Sequence, residues 1–360
     1  MKNAVTIRAG EKALQLIKDG SFKTNNIISM AGAAGGPKWF VLSNLDKALF
    51  GTIFKNRKKP LSLIGSSIGA WRFSALSQKD PVAAITKLEE LYLGQKYSLR
   101  PSAEEISREA EIMLNEYIPD KSVKYILNHP FIKLNIIAAK SKPVISTEKK
   151  ELLIAAFAAA YLTNAVSRNS LSYFFKRIIF QTHSEIFPYT FTDKIETSYY
   201  GLTESNFKQA VMASGSIPLA MKGIYKINGL PDGVYRDGGM TDYHFDINFK
   251  CAEDEFCLYP HFSEKIIPGW LDKSIFWRKP HADNFKNVVI VSPSGKFITS
   301  LPYGKIPDRT DFKTFGENHS DRIKYWKKSV KESENISEEF IDLMESGKIR
   351  NKILPLKGFK

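Results

Sequence analysis

The stretch LSLIGSSIGAWRF, from Leu61 to Phe73, joins two apolar runs through a short turn of small residues. The first run has the length and composition of a buried strand, and the second continues as a helix. Between them, Gly65, Ser67 and Gly69 form the pattern Gly-x-Ser-x-Gly. Because strands followed directly by helices build α/β folds, this stretch decides the predicted fold class.

The same alternation of strand and helix patterns extends along most of the chain. Predicted strands lie at 26–31, 61–64, 134–139, 177–182 and 287–292, and most of the segments between them have helical patterns. This order predicts an α/β fold with a mainly parallel sheet. The apolar stretch from Leu152 to Leu162 predicts a buried, alanine-rich helix, because it is shorter than the roughly 20 residues that a membrane span needs.

Composition and charge narrow the classes of partner. The chain has 360 residues, a net charge of +14 and a pI near 9.4, and its basic residues are dispersed. No nucleic-acid-binding motif accompanies them, so we predict no nucleic-acid partner, whereas peripheral contact with an anionic membrane surface stays open. No transmembrane segment is predicted.

The two cysteines and the N-terminus bear on the cellular compartment. Cys251 and Cys257 match no common zinc or redox spacing, which favours free thiols in a reducing compartment. The first twenty residues contain scattered charges and no continuous apolar region typical of a secretory signal. The sequence therefore predicts a cytoplasmic protein, and export without an N-terminal signal stays open.

The pattern around Ser67 is typical of a nucleophile elbow, in which a sharp strand-to-helix turn exposes a serine hydroxyl. Gly65 and Gly69 provide the small residues that such a turn requires, and the start of the helix favours developing negative charge. Ser67 is therefore the candidate nucleophile. Ser66 is the alternative, although it lacks a glycine two positions away on either side.

A glycine-rich turn precedes this unit, in AGAAGGPKWF. Gly35 and Gly36 follow a predicted strand, and Pro37 suits the first turn of a helix. Backbone N–H groups of such a turn can bind an anion or stabilise an oxyanion. The dinucleotide and P-loop fingerprints are absent, so no nucleotide cofactor is predicted.

A serine nucleophile needs a general base, and the histidines offer weak candidates. Of six histidines, His244 and His281 alone are plausible members of a Ser–Asp–His triad. Asp237 is better placed, because a short predicted strand leads into it and two glycines, Gly238 and Gly239, follow it.

Four segments in this order resemble the patatin-like phospholipases, lipid acyl hydrolases that use a Ser–Asp dyad. AGGPKW (34–39) is similar to their oxyanion loop, GSSIG (65–69) to their elbow, and DGG (237–239) to their acid motif. ASGSIP (213–218) resembles the segment that precedes the acid. This chain departs from the family pattern at Ala34, Trp39 and Ser216, and the resemblance covers about residues 26–246.

The resemblance implies a three-layer α/β/α sandwich, with a catalytic domain at 1–250 and a C-terminal mixed or helical extension at 251–360. It implies a phospholipase A or lysophospholipase type of esterase acting on phospholipid or lysophospholipid, without metal or cofactor. The residues that it implies are Ser67 as nucleophile and Asp237 as base, Gly35, Gly36 and Lys38 at the oxyanion hole, and Gly65, Gly69, Gly238 and Gly239 in support. Two alternatives stay open: a Ser–Asp–His esterase, and a non-catalytic lipid- or partner-binding protein on the same fold.

Overall fold

A large β-sheet forms the centre of the molecule. The computed structural model describes residues 3–20, 22–183 and 189–360. The strands are β1 (Val5–Ala9), β2 (Ile27–Gly32), β3 (Leu61–Ser66), β4 (Ile132–Ser141), β5 (Phe175–Gln181), β6 (Thr190–Phe191), β7 (Thr197–Gly201), β8 (Tyr235–Asp237), β9 (Ile247–Asn248), β10 (Phe256–Pro260), β11 (Val288–Pro293) and β12 (Leu354–Pro355).

The strand order across the main sheet is β12-β1-β11-β10-β2-β3-β4-β5-β7, and β8 also pairs with β4. The neighbours from β11 to β4 are all parallel, whereas β1 with β11, β4 with β5, and β4 with β8 are antiparallel. Strands β6 and β9 form a separate antiparallel pair. The predicted α/β class with a mainly parallel sheet is confirmed.

Helices surround this sheet and fill most of the connections between strands. They are α1 (Glu11–Lys18), α2 (Ser43–Ala48), α3 (Ile68–Leu76), α4 (Pro81–Gly94), α5 (Ala103–Tyr117), α6 (Asp120–Leu127), α7 (Lys150–Val166), α8 (Phe207–Gly215), α9 (Gly295–Ser300), α10 (Thr310–Phe315), α11 (His319–Glu332), α12 (Glu334–Glu345) and α13 (Ile349–Lys352). Side-chain caps fix several of their starts; for example, Asp80 accepts from the Ala83 N–H at α4 and Ser102 from the Glu105 N–H at α5.

The two larger apolar cores lie on opposite faces of the sheet. Successive side chains of a strand point to opposite faces, so Leu63 of β3 belongs to one core and its neighbour Ile64 to the other. The larger core contains the buried faces of α3, α4, α5 and α8. Because β3 is buried along its whole length, it reads as a continuous apolar run, as expected for a parallel sheet with both faces covered.

Residues after 250 contribute to the same sheet. β10 lies between β2 and β11, and the N-terminal strand β1 lies between β11 and β12. Helices α9 to α13 belong to the same part of the chain, and α11 and α12 pack near α2 and the turn that precedes it.

The expectation that Leu152–Leu162 forms a buried helix is half wrong. The helix is present as α7, but only four of its residues are buried, namely Leu153, Phe157, Ala160 and Asn164. Leu152, Leu162 and Val166 are exposed, with Val166 at 89%. Within the described ranges, no helix is both long enough and apolar enough to cross a bilayer.

Candidate functional site

The turn from β3 to α3 holds Ser67 in a conformation that is uncommon for a residue with a side chain. Its φ is 54° and its ψ is −127°, outside the main allowed regions. The flanking glycines leave room for the turn. A Cβ on Gly65 would lie 2.6 Å from the Ala70 nitrogen, and one on Gly69 would lie 1.8 Å from the Gly32 carbonyl oxygen. Both glycines therefore let α3 start directly against β2 and β3.

The pairing along β4 explains how the two distant segments meet. Ser66, at the end of β3, pairs with Ile137 of β4, and Asp237, at the end of β8, pairs with the next residue, Ala138. β3 runs parallel to β4 and β8 runs antiparallel to it, so their C-terminal ends approach each other along one edge of β4. The residue after β3 is Ser67, which the register therefore places beside Asp237.

Ser67 and Asp237 form a buried hydrogen-bonded pair. The Ser67 Oγ donates to Asp237 Oδ2 at 2.6 Å, and the Gly239 N–H donates to Asp237 Oδ1 at 2.7 Å. A Cβ on Gly238 would lie 2.2 Å from the Ile137 carbonyl oxygen, so glycine is required for this close approach to β4. The structure brings together the serine, the aspartate and the glycines that the sequence indicates.

The segment ASGSIP (213–218) stabilises this pair through hydrogen bonds from a third part of the chain. Ser214 Oγ accepts from the Ser67 N–H at 2.9 Å and donates to the Ile137 carbonyl at 2.6 Å. The Ser216 carbonyl accepts from the Asp237 N–H at 2.9 Å. Sequence reasoning did not identify Ser214 as a functional residue, although the segment itself was noted. Its role depends on contacts with residues about 150 positions earlier.

The glycine turn after β2 lies beside the serine. Gly36, with a φ of 57°, begins a 3₁₀-helix (Gly36–Leu42), and α2 follows it. Within residues 3–20, 22–183 and 189–360, the N–H groups of Gly35 and Gly36 make no hydrogen bond to the protein. The N–H of Ile68, the first residue of α3, also has no intrahelical partner. Ile68 is a candidate donor that sequence reasoning missed.

Two cavities meet at Ser67. The first, of about 260 Å³, is largely apolar and extends between α3, α4, α5 and the segment after α8. Among the residues that line it are Gly36, Ile68, Trp71, Ile106, Ala110, Met113, Ile217 and Met221. The second, of about 200 Å³, is polar and lies on the side of Asp237. Its lining includes Gly35, Lys38, Asp237, Tyr243, Trp270, Lys273, Asp308 and Arg309.

Burial shifts the pKa of two charged groups of the site, Asp237 and Lys38. Desolvation raises the pKa of Asp237 above its ordinary value, and the positive charge of Arg309 and the Ser67 hydrogen bond partly oppose this rise. Desolvation lowers the pKa of Lys38, which lines the polar cavity with Gly35. Its ammonium lies 5.2 Å from the centre of the Phe262 ring. The carboxylate is thus a stronger base than an exposed aspartate.

The alternative catalytic residues lie in other surroundings. Buried His244 accepts the Ile267 N–H at its Nδ1, and burial lowers its pKa well below the ordinary value. His281 pairs with Asp246 at 2.9 Å. None of the described residues that line the two cavities is a histidine. Ser66 is fully buried and lines neither cavity.

No metal-binding cluster is evident in the part of the chain that the structure describes. There, no three side chains of histidine, cysteine, aspartate or glutamate gather as a metal site would require. Cys251 and Cys257 are free thiols, and burial raises the pKa of both. Neither cysteine lines the two cavities at Ser67.

Comparison with known proteins adds no assignment. The sequence matches no protein-family model and no curated protein. Evidence for a function therefore comes from the geometry of the site and from the residues that form it.

Proposed function

We propose that this protein is a carboxylic ester hydrolase that cleaves fatty-acyl esters through a Ser67–Asp237 dyad. The observation that carries the proposal is the 2.6 Å hydrogen bond from Ser67 Oγ to Asp237, formed at a serine whose backbone is held at a φ of 54°. Strained backbone at a buried nucleophile–base pair is typical of catalytic sites. The resemblance to patatin-like phospholipases supports the same assignment and the three-layer sandwich.

The first half-reaction acylates the serine. Ser67 Oγ attacks the ester carbonyl carbon while its proton passes to Asp237, and the carbonyl π electrons move onto the oxygen. The N–H groups of Gly35, Gly36 and Ile68 are available to stabilise this oxyanion, and Lys38 adds positive charge nearby. When the intermediate collapses, the bond to the alcohol breaks and the alcohol oxygen takes the proton from Asp237.

The second half-reaction releases the fatty acid. A water molecule gives a proton to Asp237 as its oxygen attacks the acyl carbon of the Ser67 ester. Collapse of the second intermediate returns that proton to Ser67 Oγ and frees the carboxylic acid. The raised pKa of Asp237 suits this role, because a lone carboxylate must be more basic than usual to accept a hydroxyl proton.

The apolar cavity supports an acyl-chain substrate. It opens at Ser67, and Ile106, Ala110 and Met113 of α5 line it. Burying methylene groups there is worth about 0.8 kcal/mol each, so affinity should grow with the part of the chain that fits. Phospholipid or lysophospholipid is the proposed substrate class.

An apolar surface beside the site supports contact with a lipid interface. It comprises the exposed stripe Leu152, Ala155, Ala159, Leu162 and Val166 of α7, together with Phe276 and Trp277. The Trp277 indole N–H donates to the Ala165 carbonyl at 3.3 Å, which holds the two aromatic residues at the end of the helix.

Positive charge flanks this apolar surface. Lys149 and Lys150 are exposed at the start of α7, and Lys279 is exposed beside Trp277. Aromatic rings and lysines together suit an anionic lipid surface. Trp270 lines the polar cavity and its ring packs against Phe157 on the buried face of α7, so this helix lies beside the cavity. The two free cysteines fit the proposal of a reducing, cytoplasmic location.

One labelling experiment distinguishes the proposed dyad from its two alternatives, a histidine base and a non-catalytic lipid-binding protein. A lipid-like fluorophosphonate is added to the wild-type protein and to the Ser67→Ala and Asp237→Asn variants, and adducts are measured by intact mass. The proposal predicts one adduct on the wild type, lost in Ser67→Ala and strongly slowed in Asp237→Asn.

Other labelling results would favour the alternatives. Undiminished labelling of Asp237→Asn would favour a histidine base. No adduct on the wild type, even with anionic vesicles present, would favour a non-catalytic lipid-binding protein. Circular dichroism of each variant controls for folding.

A further inference from the structure

The polar cavity beside Ser67 contains three cations that lack a dedicated counter-ion. Lys38, Lys273 and Arg309 line it, and none of them forms an ion pair with a carboxylate in the described ranges. Asp308 is the acid that acts most strongly on Lys38, but it is shared with Lys305 at 3.4 Å and with the Thr310 N–H at 2.7 Å. Asp237 and Asp308 are the carboxylates of the lining, so its three cations exceed its carboxylates by one.

Aromatic rings, rather than carboxylates, contact the ammonium groups of the two lysines. The Lys273 ammonium lies 4.2 Å from the centre of the Tyr243 ring and 5.3 Å from that of Trp270. Part of the Lys273 side chain is exposed, but burial of its ammonium, together with Arg309 and Lys38, lowers its pKa to about 7. A bound anion would relieve this repulsion.

The turn that carries Lys273 is rigid. The preceding residue, Asp272, is buried and accepts from the Gly269 N–H at 2.8 Å, from Asn164 at 2.7 Å and from Arg168 at 2.8 Å. A cation on such a turn is pre-organised, and little conformational entropy is lost when it binds a ligand.

The segment that carries Arg309 is fixed in the same way. Asp311, fully buried, accepts from the Asp308 N–H at 2.9 Å and from the Trp326 indole at 2.9 Å, and it forms an ion pair with Lys305 at 2.6 Å. Arg309 itself packs against the glycine turn, since a Cβ on Gly36 would lie 2.8 Å from its Nε. Both turns thus present their cations to the cavity without rearrangement.

We propose that this cavity binds a phosphate group on the alcohol part of the ester substrate, through Lys38, Lys273 and Arg309. This inference rests on the proposed function, because Ser67 must define where the ester lies. The planar guanidinium of Arg309 and the two lysine ammonium groups suit a ligand with several anionic oxygens. Ser67 lies between this cavity and the apolar one, so the substrate carries its acyl chain and its phosphate on opposite sides of the ester carbonyl.

The inference gives the C-terminal part of the chain a role in the site. Lys273 and Arg309 both follow residue 250, outside the motif-bearing part, whereas Lys38 belongs to the glycine turn. Specificity for the alcohol part of the substrate would then depend on loops that the catalytic motifs do not include.

The test compares two soluble substrates that differ only in the phosphate, the hexanoyl monoesters of glycerol 3-phosphate and of glycerol. The wild type should show a kcat/KM about tenfold or more higher for the phosphate ester, and Lys273→Met should reduce this preference about tenfold. Both substrates use the same dyad, so the effect that Lys273 has on Asp237 in the free enzyme is common to the two rates. Lys38→Met provides a second variant on another element, and Lys296→Met, an exposed lysine of α9 that lines neither cavity, should behave as the wild type.

A binding measurement separates failure of the subsite from failure of the proposed function. Inorganic phosphate is titrated calorimetrically into the wild type, Lys273→Met and Lys296→Met, with no ester present. Weaker binding to Lys273→Met alone would support the subsite even if neither ester is hydrolysed. Phosphate binding without any preference between the esters would overturn the substrate assignment in favour of a free-phosphate site. Equal affinity of all three proteins, or no binding, would overturn the subsite itself.

Discussion

Replacing Gly69 with alanine tests the close packing that shapes the elbow. The added methyl carbon would lie 1.8 Å from the Gly32 carbonyl oxygen, whereas ordinary contact begins near 3.4 Å. The backbones of α3 and β2 must therefore separate by about 1.6 Å, since neither neighbour is a flexible side chain. Such overpacking should cost about 3 kcal/mol of unfolding free energy. A displacement of more than 1 Å at Ser67 should also reduce kcat about 100-fold.

The assay measures both consequences on one preparation. Urea unfolding gives the stability, and hydrolysis of a soluble short-chain ester, corrected for the folded fraction, gives the activity. Gly295→Ala is the matched control, because that glycine is exposed at the start of α9 with nothing within 4 Å of the added carbon. Gly69→Ala with the stability and activity of this control would refute the packing argument. Lost stability with full activity per folded molecule would show that the contact does not shape the elbow.

Three further predictions follow from the site. Ala110→Trp, which fills the apolar cavity, should lower kcat/KM for a sixteen-carbon ester about tenfold or more and leave a four-carbon ester nearly unchanged; a uniform loss would contradict the acyl-chain assignment. Phe276→Ser with Trp277→Ser should weaken hydrolysis in anionic vesicles about tenfold while sparing a soluble ester, and equal vesicle rates would remove that surface from lipid contact. Because the ionised form of Asp237 accepts the proton and its pKa is raised, kcat/KM should fall as pH decreases through that raised value; a rate independent of pH down to the ordinary value of 3.8 would exclude this carboxylate as the base.

The parts of the site that sequence reasoning found are those encoded locally. The turn around Ser67 can be predicted because a sharp strand-to-helix turn tolerates only small neighbours, and Gly65 and Gly69 satisfy that need in five consecutive residues. Asp237 was found for a similar reason, since two glycines follow it directly. In the structure, Gly69 and Gly238 lie against backbone carbonyl groups of β2 and β4, and Gly65 lies against the backbone at the start of α3. Where the backbone of another element lies this close, only glycine fits, so such positions can be recognised in the sequence.

Features that depend on distant parts of the chain were not predictable in the same way. The residues near Lys273 and Arg309 do not indicate that both side chains reach the cavity at Ser67. The positions of the two turns depend on buried carboxylates, Asp272 and Asp311, whose hydrogen-bond partners lie in other parts of the chain. The exposed stripe of α7 was missed because apolar composition predicts burial, and periodicity in an alanine-rich helix is weak. The position of β10 between β2 and β11 likewise depends on long-range pairing.

The cations of the polar cavity act on the Asp237 carboxylate of the dyad, so phosphate binding and the acid–base chemistry of the dyad influence each other. Desolvation makes Asp237 more basic, whereas Arg309 and Lys273 favour its ionised form. Desolvation and the nearby cations therefore act on the pKa of Asp237 in opposite directions. A phosphate bound at Lys273 and Arg309 would offset their charge and raise the basicity of Asp237 while the ester lies at Ser67. By thermodynamic linkage, proton uptake at Asp237 would in turn strengthen phosphate binding, so the charge that selects the substrate would also help the carboxylate to accept the serine proton.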